Sequence, residues 1–264
     1  MNSHKELKEL GGGKELRGGG LSGSTLKIIA LITMLTDHVG AGILGRIITM
    51  QGIYSGSIYN AYTVMRYVGR FAFPIFCFLL VEGFMHTHDV KKYAIRLFLF
   101  ALISELPFDL FVSGRLADVS SQNVYFTLFI GFLCMCACNI AEKSECISIG
   151  LKPVLEFIIV IAGMYVSYVL RTDYAAIGVA CIMVLYWTRF DKKRQLIAGA
   201  VSFAWETSAS LAFIPIALYN KKRGISLKYF FYAFYPVHLL IIYIVCVIMG
   251  IAGYEVYNVL PPLW

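Results

Sequence analysis

Charged residues are scarce in this 264-residue chain. Asp, Glu, Lys and Arg make up only 15% of it, whereas hydrophobic residues make up 59%. A soluble domain usually carries about 25% charged residues, so the composition excludes an ordinary soluble domain and places most of the chain in lipid. The formal net charge of +7 does not indicate a nucleic-acid partner, because the basic residues lie mostly in loops and in the N-terminal arm, as the positive-inside rule requires.

Disulfide and metal frameworks are also lacking. Six of the seven cysteines lie within apolar runs and only Cys146 lies in a loop, which is not the pattern of a disulfide scaffold. On a helix, the spacing of Cys134, Cys136 and Cys138 turns the middle residue away from the other two. His86 and His88 diverge for the same reason. The sequence therefore predicts no metal site.

What the chain does contain is a series of continuous apolar runs, each close to the ~20 residues that a membrane-spanning helix needs. They do not alternate between polar and apolar residues, so they favour helices over strands. The sequence predicts an all-α, polytopic transmembrane bundle of about eight segments, with nine as the alternative. The runs are 26–49, 66–86, 93–113, 123–141, 153–170, 174–188, 196–218 and 229–250. Residues 1–25 are predicted to be a flexible, basic, glycine-rich cytoplasmic arm, 26–250 the transmembrane domain, and 251–264 a C-terminal tail.

Loop charge predicts a cytoplasmic N-terminus, because the arm and the 87–92 turn are basic whereas the 50–65 loop carries no Lys or Arg. One loop breaks the pattern. The loops at 189–194 and 219–228 are both strongly basic, yet a single crossing by 196–218 would place them on opposite sides. Two short half-spans turning at 205–208 would place both inside. Both arrangements are compatible with the sequence.

Asp37 and His38 lie side by side inside the first apolar run. At about 1.5 Å per residue, His38 lies roughly 18 Å beyond Leu26, near the bilayer centre. An ionisable residue there costs several kcal/mol and is a functional candidate for that reason. The alternative is a polar pair that holds two helices together.

Other polar residues are distributed by depth along the predicted spans. Glu105 and His238 share the middle of the membrane with Asp37 and His38. One further group lies toward the cytoplasmic ends and another toward the outer ends, which is the arrangement of a polar path with His38 between two mouths. The cytoplasmic group is Glu82, His86, Lys91, Lys92 and Arg96, and the outer group is Arg70, Asp109 and Asn123.

Six blocks of sequence resemble the TraX family and occur in its order. They are LKIIALITMLTDHVG (26–40), GRFAFPIFCFLLVEGFMHT (69–87), RLFLFALISELPFDL (96–110), NVYFTLFIG (123–131), ALYNKKRG (217–224) and YFFYAFYPVHLLIIY (229–243). The family takes its name from a conjugation protein that acetylates the N-terminal amine of F-pilin. It is similar to a wider group of polytopic acyltransferases that use cytoplasmic acyl-CoA.

The resemblance implies an integral acyltransferase of the bacterial inner membrane. It would move an acetyl group from acetyl-CoA to a pilin or peptide N-terminus, or to a hydroxyl acceptor. His38 is expected to be the general base, with Asp37 either orienting the imidazole or pairing with an arginine. Glu82 and Glu105 are the other catalytic candidates. The acceptor-binding candidates are Arg70, Asp109, Asn123, His86 and His238, and the candidates for the coenzyme A phosphates are Lys91, Lys92 and Arg96.

Two other classes of function fit the same residues. The first is a proton-coupled transporter that uses Asp37, His38, Glu82 and Glu105 as a relay, although no internal repeat is visible. The second is a non-catalytic assembly factor for surface appendages. The sequence contains no acyl-CoA fingerprint that would decide between these classes.

Overall fold

A computed structural model describes residues 20–206, 208–225, 228–254 and 256. Within these ranges the protein is all-α, with apolar helices packed around one connected hydrophobic core. Most of the predicted arm and most of the predicted C-terminal tail lie outside the described residues. The predicted fold class, a polytopic membrane helix bundle, is confirmed.

Ten labelled helices follow one another along the described chain. They are α1 (Gly23–Gln51), α2 (Gly56–Gly69), α3 (Ala72–His86), α4 (Val90–Ser113), α5 (Val124–Lys143), α6 (Lys152–Val169), α7 (Ala175–Trp187), α8 (Lys192–Ser202), α9 (Phe213–Ala217) and α10 (Lys228–Ile248). A short 3₁₀ turn, Ala209–Ala212, precedes α9.

Five helical stretches among the described residues are long and apolar enough to cross a membrane. They are α1, the α2–α3 pair, α5, α6 and most of α10. α4 is 24 residues long but carries Lys91, Lys92, Arg96, Glu105 and Asp109. α7 is apolar but only 13 residues long, so it extends about 20 Å and does not cross a ~30 Å hydrocarbon layer alone.

α1 begins with a capped end and changes its winding halfway. The Ser22 hydroxyl accepts a hydrogen bond from the Thr25 N–H at 3.2 Å, which satisfies an otherwise unpaired donor of the first turn. Directly after Asp37 and His38, the α-helix gives way to a π-helical turn over Gly40–Gly45. Such turns occur frequently at functional sites. Here the small residues also allow close packing, since Gly42 lies against Phe111 and Ile242.

The prediction of a loop over 50–65 was wrong beyond residue 55, because α2 begins at Gly56. The polar residues of this stretch hide it from a hydropathy scan, but its buried residues, Tyr62, Arg66 and Gly69, follow helical spacing. They pack on α1. The run predicted at 66–86 is likewise broken at Arg70 and Phe71, between α2 and α3.

The 196–218 run folds back on itself, as the half-span alternative requires. α8 ends at Ser202, the chain turns, and α9 returns beside it. The Ser210 hydroxyl donates to the Ala200 carbonyl at 2.6 Å, and Lys192 at the start of α8 donates to the Tyr219 carbonyl at 3.1 Å just after α9. The two basic loops therefore lie on the same face of the bundle.

The same face also holds the start of α1 and the first turns of α4, since Tyr93 and Arg96 line one cavity with Lys221 and Arg223. Backbone hydrogen bonds of 2.8 Å join Leu21 to Leu218 and Gly23 to Lys222. At the start of α4, Asp89 accepts a hydrogen bond from the Lys92 N–H at 2.9 Å. That bond, together with the Lys92 ammonium, lowers the pKa of the exposed Asp89 carboxyl. We refer below to this side of the protein as the basic face.

Candidate functional site

A cavity with a volume of about 530 Å³ lies between α1, α3, α4 and α10. This volume is within the range of small-molecule sites. Four cations line it: Lys27 and Arg96 from the helices, and Lys221 and Arg223 from the loop after α9. We call this space the main cavity. Its cations belong to the basic face.

A second, smaller space of about 70 Å³ adjoins the main cavity. The two share four lining residues, Phe76, Tyr125, Leu128 and Phe231. Asp37, His38 and Asp173 line the smaller space and not the main cavity. We call it the inner chamber. The two spaces therefore lie side by side, one lined by cations and the other by an imidazole.

The imidazole of His38 is held by aromatic and histidine neighbours. Its Nδ1 lies 2.6 Å from Nε2 of His238 on α10, and the planes of the two rings are nearly parallel with centroids 4.9 Å apart. Phe111 and Tyr235 contact the His38 ring edge to face, at 5.4 and 6.0 Å. On its other side, His238 places Nδ1 2.7 Å from the Phe234 carbonyl oxygen. This arrangement fixes the orientation of His38.

Asp37 does not contact the His38 ring through a hydrogen bond. Its carboxylate accepts one from Arg66 of α2 at 2.6 Å, and both side chains are almost fully buried. The sequence left two roles open for Asp37, orienting the imidazole or pairing with an arginine, and the structure shows the pair with an arginine. Gly69 makes this pairing possible, since a Cβ at that position would overlap the Asp37 side chain.

Asp173 reaches the inner chamber from the loop between α6 and α7, a residue that sequence reasoning missed. Three non-glycine residues have positive φ here: Arg171 (54°) and Tyr174 (63°) in the loop, and Ala175 (41°) at the start of α7. Such conformations are strained and persist only where the surroundings hold them. Here the Asp173 N–H donates to the Gln122 carbonyl at 2.8 Å, and the Tyr174 ring stacks on Phe73 at 3.7 Å.

Arg70 and Asp109, two of the acceptor-binding candidates, have different partners. Arg70 forms an ion pair with Glu206 at 2.8 Å, in the turn between α8 and the 3₁₀ segment. Asp109 accepts a hydrogen bond from the Asp118 N–H at 3.0 Å. Neither Arg70 nor Asp109 lines the main cavity or the inner chamber.

Glu105 and Asn123 pair with each other instead of reaching His38. The Asn123 amide donates to Glu105 and, at 2.8 Å, to the Ala101 carbonyl. The side-chain oxygen Oδ1 of Asn123 accepts a hydrogen bond from the Tyr125 N–H at 3.0 Å and caps α5. Both residues lie outside the linings of the two spaces. The structure therefore gives them a role in joining α4 to α5.

The cytoplasmic candidates divide into two sets. Glu82, His86 and Arg96 line the main cavity, whereas Lys91 and Lys92 do not. Lys92 pairs with Asp89 at 3.2 Å on an exposed surface. The sequence analysis missed Lys27, although it lies eleven residues before His38. Eleven residues make about three helical turns, so the two share a face of α1. Lys221 and Arg223 reach the cavity through tertiary folding, which no spacing reveals.

The fold and cavity define a multi-pass membrane protein with a buried histidine site. The family model described as TraX protein matches residues 22–246, and the chain belongs to the TraX family. A relative, "Probable fimbrial assembly protein FimC, serogroup H1" from Dichelobacter nodosus, is 29% identical over 244 residues, which is 81% of this chain and 91% of the relative. No solved structure matches the chain.

Proposed function

We propose that this protein is an acyl-CoA-dependent acyltransferase with His38 as the general base. The observation that carries the proposal is a cation-lined cavity that adjoins the chamber holding the His38 imidazole. Acyl transfer from a thioester needs a group that removes the proton of the nucleophile, and a neutral imidazole does this near neutral pH. The fixed His38 imidazole in the inner chamber provides such a group.

The main cavity fits the acyl donor, acetyl-CoA. Its four cations, Lys27, Arg96, Lys221 and Arg223, are suited to the phosphates of coenzyme A. Lys27 lies 5.2 Å from the centre of the Phe231 ring, and Arg96 lies 5.5 Å from that of Tyr93, so aromatic rings help to hold both cations. Of the three donor-binding residues expected from the sequence, we retain Arg96.

The inner chamber fits an amine acceptor better than a hydroxyl acceptor. The buried ionic groups beside it comprise two guanidinium groups, Arg66 and Arg70, and three carboxyl groups, Asp37, Glu206 and Asp173. Ion pairs join Asp37 to Arg66 and Glu206 to Arg70, and Asp173 places a further carboxyl in the chamber wall. We propose that it receives the acceptor as an ammonium group.

The reaction at His38 then balances as a simple transfer. The bound ammonium first gives one proton to the Asp173 carboxylate, which returns it to water when the product leaves. The neutral amine then attacks the thioester carbonyl, a C–N bond forms and the C–S bond breaks. The proton that leaves the nitrogen passes to the lone-pair nitrogen of His38 and then to the departing sulfur. No oxidant, metal ion or further co-substrate is needed for this step.

We place the protein in the bacterial inner membrane with a cytoplasmic N-terminus, because the basic residues gather on one face. The printed name of the relative concerns fimbrial assembly, which supports a pilin or peptide N-terminus as the acceptor. Such an acceptor is presented on the outer side, so Arg70, Asp109 and Asn123 remain proposed contacts on its way in. In sealed inside-out vesicles, acetyl-CoA added outside should modify a lumenal peptide. Modification of external peptide alone would exclude this route.

A proton-coupled transporter is the second candidate, favoured by the buried cluster of Asp37, Arg66, Arg70, Asp173 and Glu206. Buried ionisable groups of this kind occur in proton relays. A non-catalytic assembly factor is the third candidate, and it would need neither cavity. An assay for acyl transfer separates the first candidate from both.

The deciding assay uses purified protein in lipid nanodiscs, radiolabelled acetyl-CoA and synthetic peptides. One peptide carries a free N-terminus, and a matched peptide has its N-terminus blocked. We expect label on the free amine only, identified by mass spectrometry. If the folded protein labels no amine or hydroxyl acceptor, the acyltransferase function is rejected, whether or not the protein binds acetyl-CoA.

A further inference from the structure

The hydrogen bonds around His238 determine which nitrogen of His38 is basic. The Phe234 carbonyl oxygen can only accept, so the His238 Nδ1 at 2.7 Å must carry the hydrogen. In a neutral imidazole the other nitrogen then holds a lone pair. This nitrogen, Nε2, therefore accepts a hydrogen bond at 2.6 Å from the Nδ1–H of His38.

The same logic continues into the His38 ring. Because its Nδ1 carries the hydrogen, its Nε2 keeps the lone pair. His38 lines the inner chamber and His238 does not, so the relay lies behind the base as seen from the chamber. The chain of three groups thus begins at a backbone carbonyl that cannot titrate and ends at the nitrogen that a base requires.

We infer that His238 is the positioning residue of this site. It holds His38 in the tautomer with a basic Nε2, and its own Nε2 accepts the hydrogen bond from the His38 Nδ1–H as the imidazolium forms. This inference rests on the proposed function. A buried carboxylate has the equivalent place in a serine protease triad. Here a neutral imidazole takes that place, and His238 needs no contact with substrate to act.

The other groups around His38 do not compete for this role. α4 contributes the uncharged Phe111 ring. Asp37 is paired with Arg66. Asp173 lies in the wall of the inner chamber, which His238 does not line. The charged and titratable groups that face the site from the packed elements are Asp37 on α1, Arg66 on α2, Arg70 just after α2, Tyr125 on α5, Asp173 and Tyr174 in the α6–α7 loop, and Tyr235 with His238 on α10.

Two substitutions at His238 separate positioning from packing. In His238→Gln, the side-chain amide oxygen can replace Nε2 as the acceptor for His38, whereas His238→Ala provides no acceptor. We expect His238→Ala to lower kcat about 10²-fold, the lower end of the effect of general-base loss. KM for acetyl-CoA should stay within about threefold, because the main cavity is untouched, and His238→Gln should recover at least tenfold of the loss. Val237→Ala, at an exposed neighbouring position of α10, is the control.

A spectroscopic measurement tests the pairing without any assay of transfer. Nitrogen NMR of the wild-type protein labelled with ¹⁵N-histidine should show His38 protonated at Nδ1 and unprotonated at Nε2. His238→Gln should retain that state, and His238→Ala should give a mixture of tautomers. His38 protonated at Nε2 in the wild type would overturn the inference, as would full activity of His238→Ala. A wild type that transfers no acyl group but shows the expected tautomer would reject the proposed function alone.

Discussion

The carboxylate of Asp37 lies 2.6 Å from the guanidinium of Arg66 and is thereby withdrawn from the histidine that follows it in the sequence. The adjacent pair that marks this chain therefore divides its roles. Asp37 joins α1 to α2, while His38 is oriented by α10. Both helices must be in place before the site exists.

Breaking the Asp37–Arg66 pair should destabilise the protein. Asp37→Asn and Arg66→Gln each leave one charge buried without its partner, which typically costs about 3–5 kcal/mol. The double variant removes both charges and should recover part of this loss. Thermal unfolding of the purified proteins measures the effect. Single variants as stable as the wild type would show that the pair is not structural.

Neutralising the cavity cations should weaken donor binding. Replacing Arg96, Lys221 and Arg223 together by Gln should raise KM for acetyl-CoA at least tenfold with a smaller change in kcat, because phosphate contacts stabilise substrate and transition state about equally. The control is a double substitution of Lys193 and Arg194 by Gln, because both side chains are exposed at the start of α8 and lie outside the cavity. The pair Lys91→Gln/Lys92→Gln should have a small effect. If the Lys91/Lys92 variant raises KM for acetyl-CoA more than the triple variant does, the donor phosphates bind at the exposed turn and not in the cavity.

Asp173→Asn should impair the acceptor and spare the donor. The substitution keeps the size of the side chain but removes the charge proposed to hold the ammonium group. We expect KM for the peptide to rise about tenfold, as the loss of one charge-assisted hydrogen bond predicts, with KM for acetyl-CoA unchanged. Steady-state kinetics with each substrate varied in turn provides the comparison. Equal changes in both constants would instead indicate a general disturbance of the bundle.

The membrane orientation can be measured by cysteine labelling. In a cysteine-free background, single cysteines at Lys91, Lys193 and Lys221 should all react from the cytoplasmic side, because the structure places these positions on one basic face. A cysteine at Leu116, which is exposed in the loop after α4, should react from the opposite side. If the cysteines at positions 193 and 221 react from different sides of the membrane, the folded-back arrangement of α8 and α9 is contradicted.

The sequence alone predicts the helix bundle and draws attention to His38, because the length of an apolar run and an ionisable residue in its middle are local properties. It was insufficient wherever partners are distant in the chain. The short polar helix α2 reads as a loop until α1 covers Tyr62 and Arg66. The contact of His238 with His38 joins residues 200 positions apart, and Asp173 enters the chamber only through a strained loop. Lys27 is the exception, because its spacing from His38 already placed both on one face.

The most direct test of the acyltransferase account is the rate of His38→Ala in the purified-protein assay. Loss of the general base should lower acyl transfer by at least about 10²-fold, while the variant still inserts in the membrane and purifies as a monodisperse species. Leu35→Ala, at an exposed position one turn earlier on α1, should retain activity. If His38→Ala keeps more than about a tenth of the wild-type rate, far less than general-base loss allows, His38 is not the base.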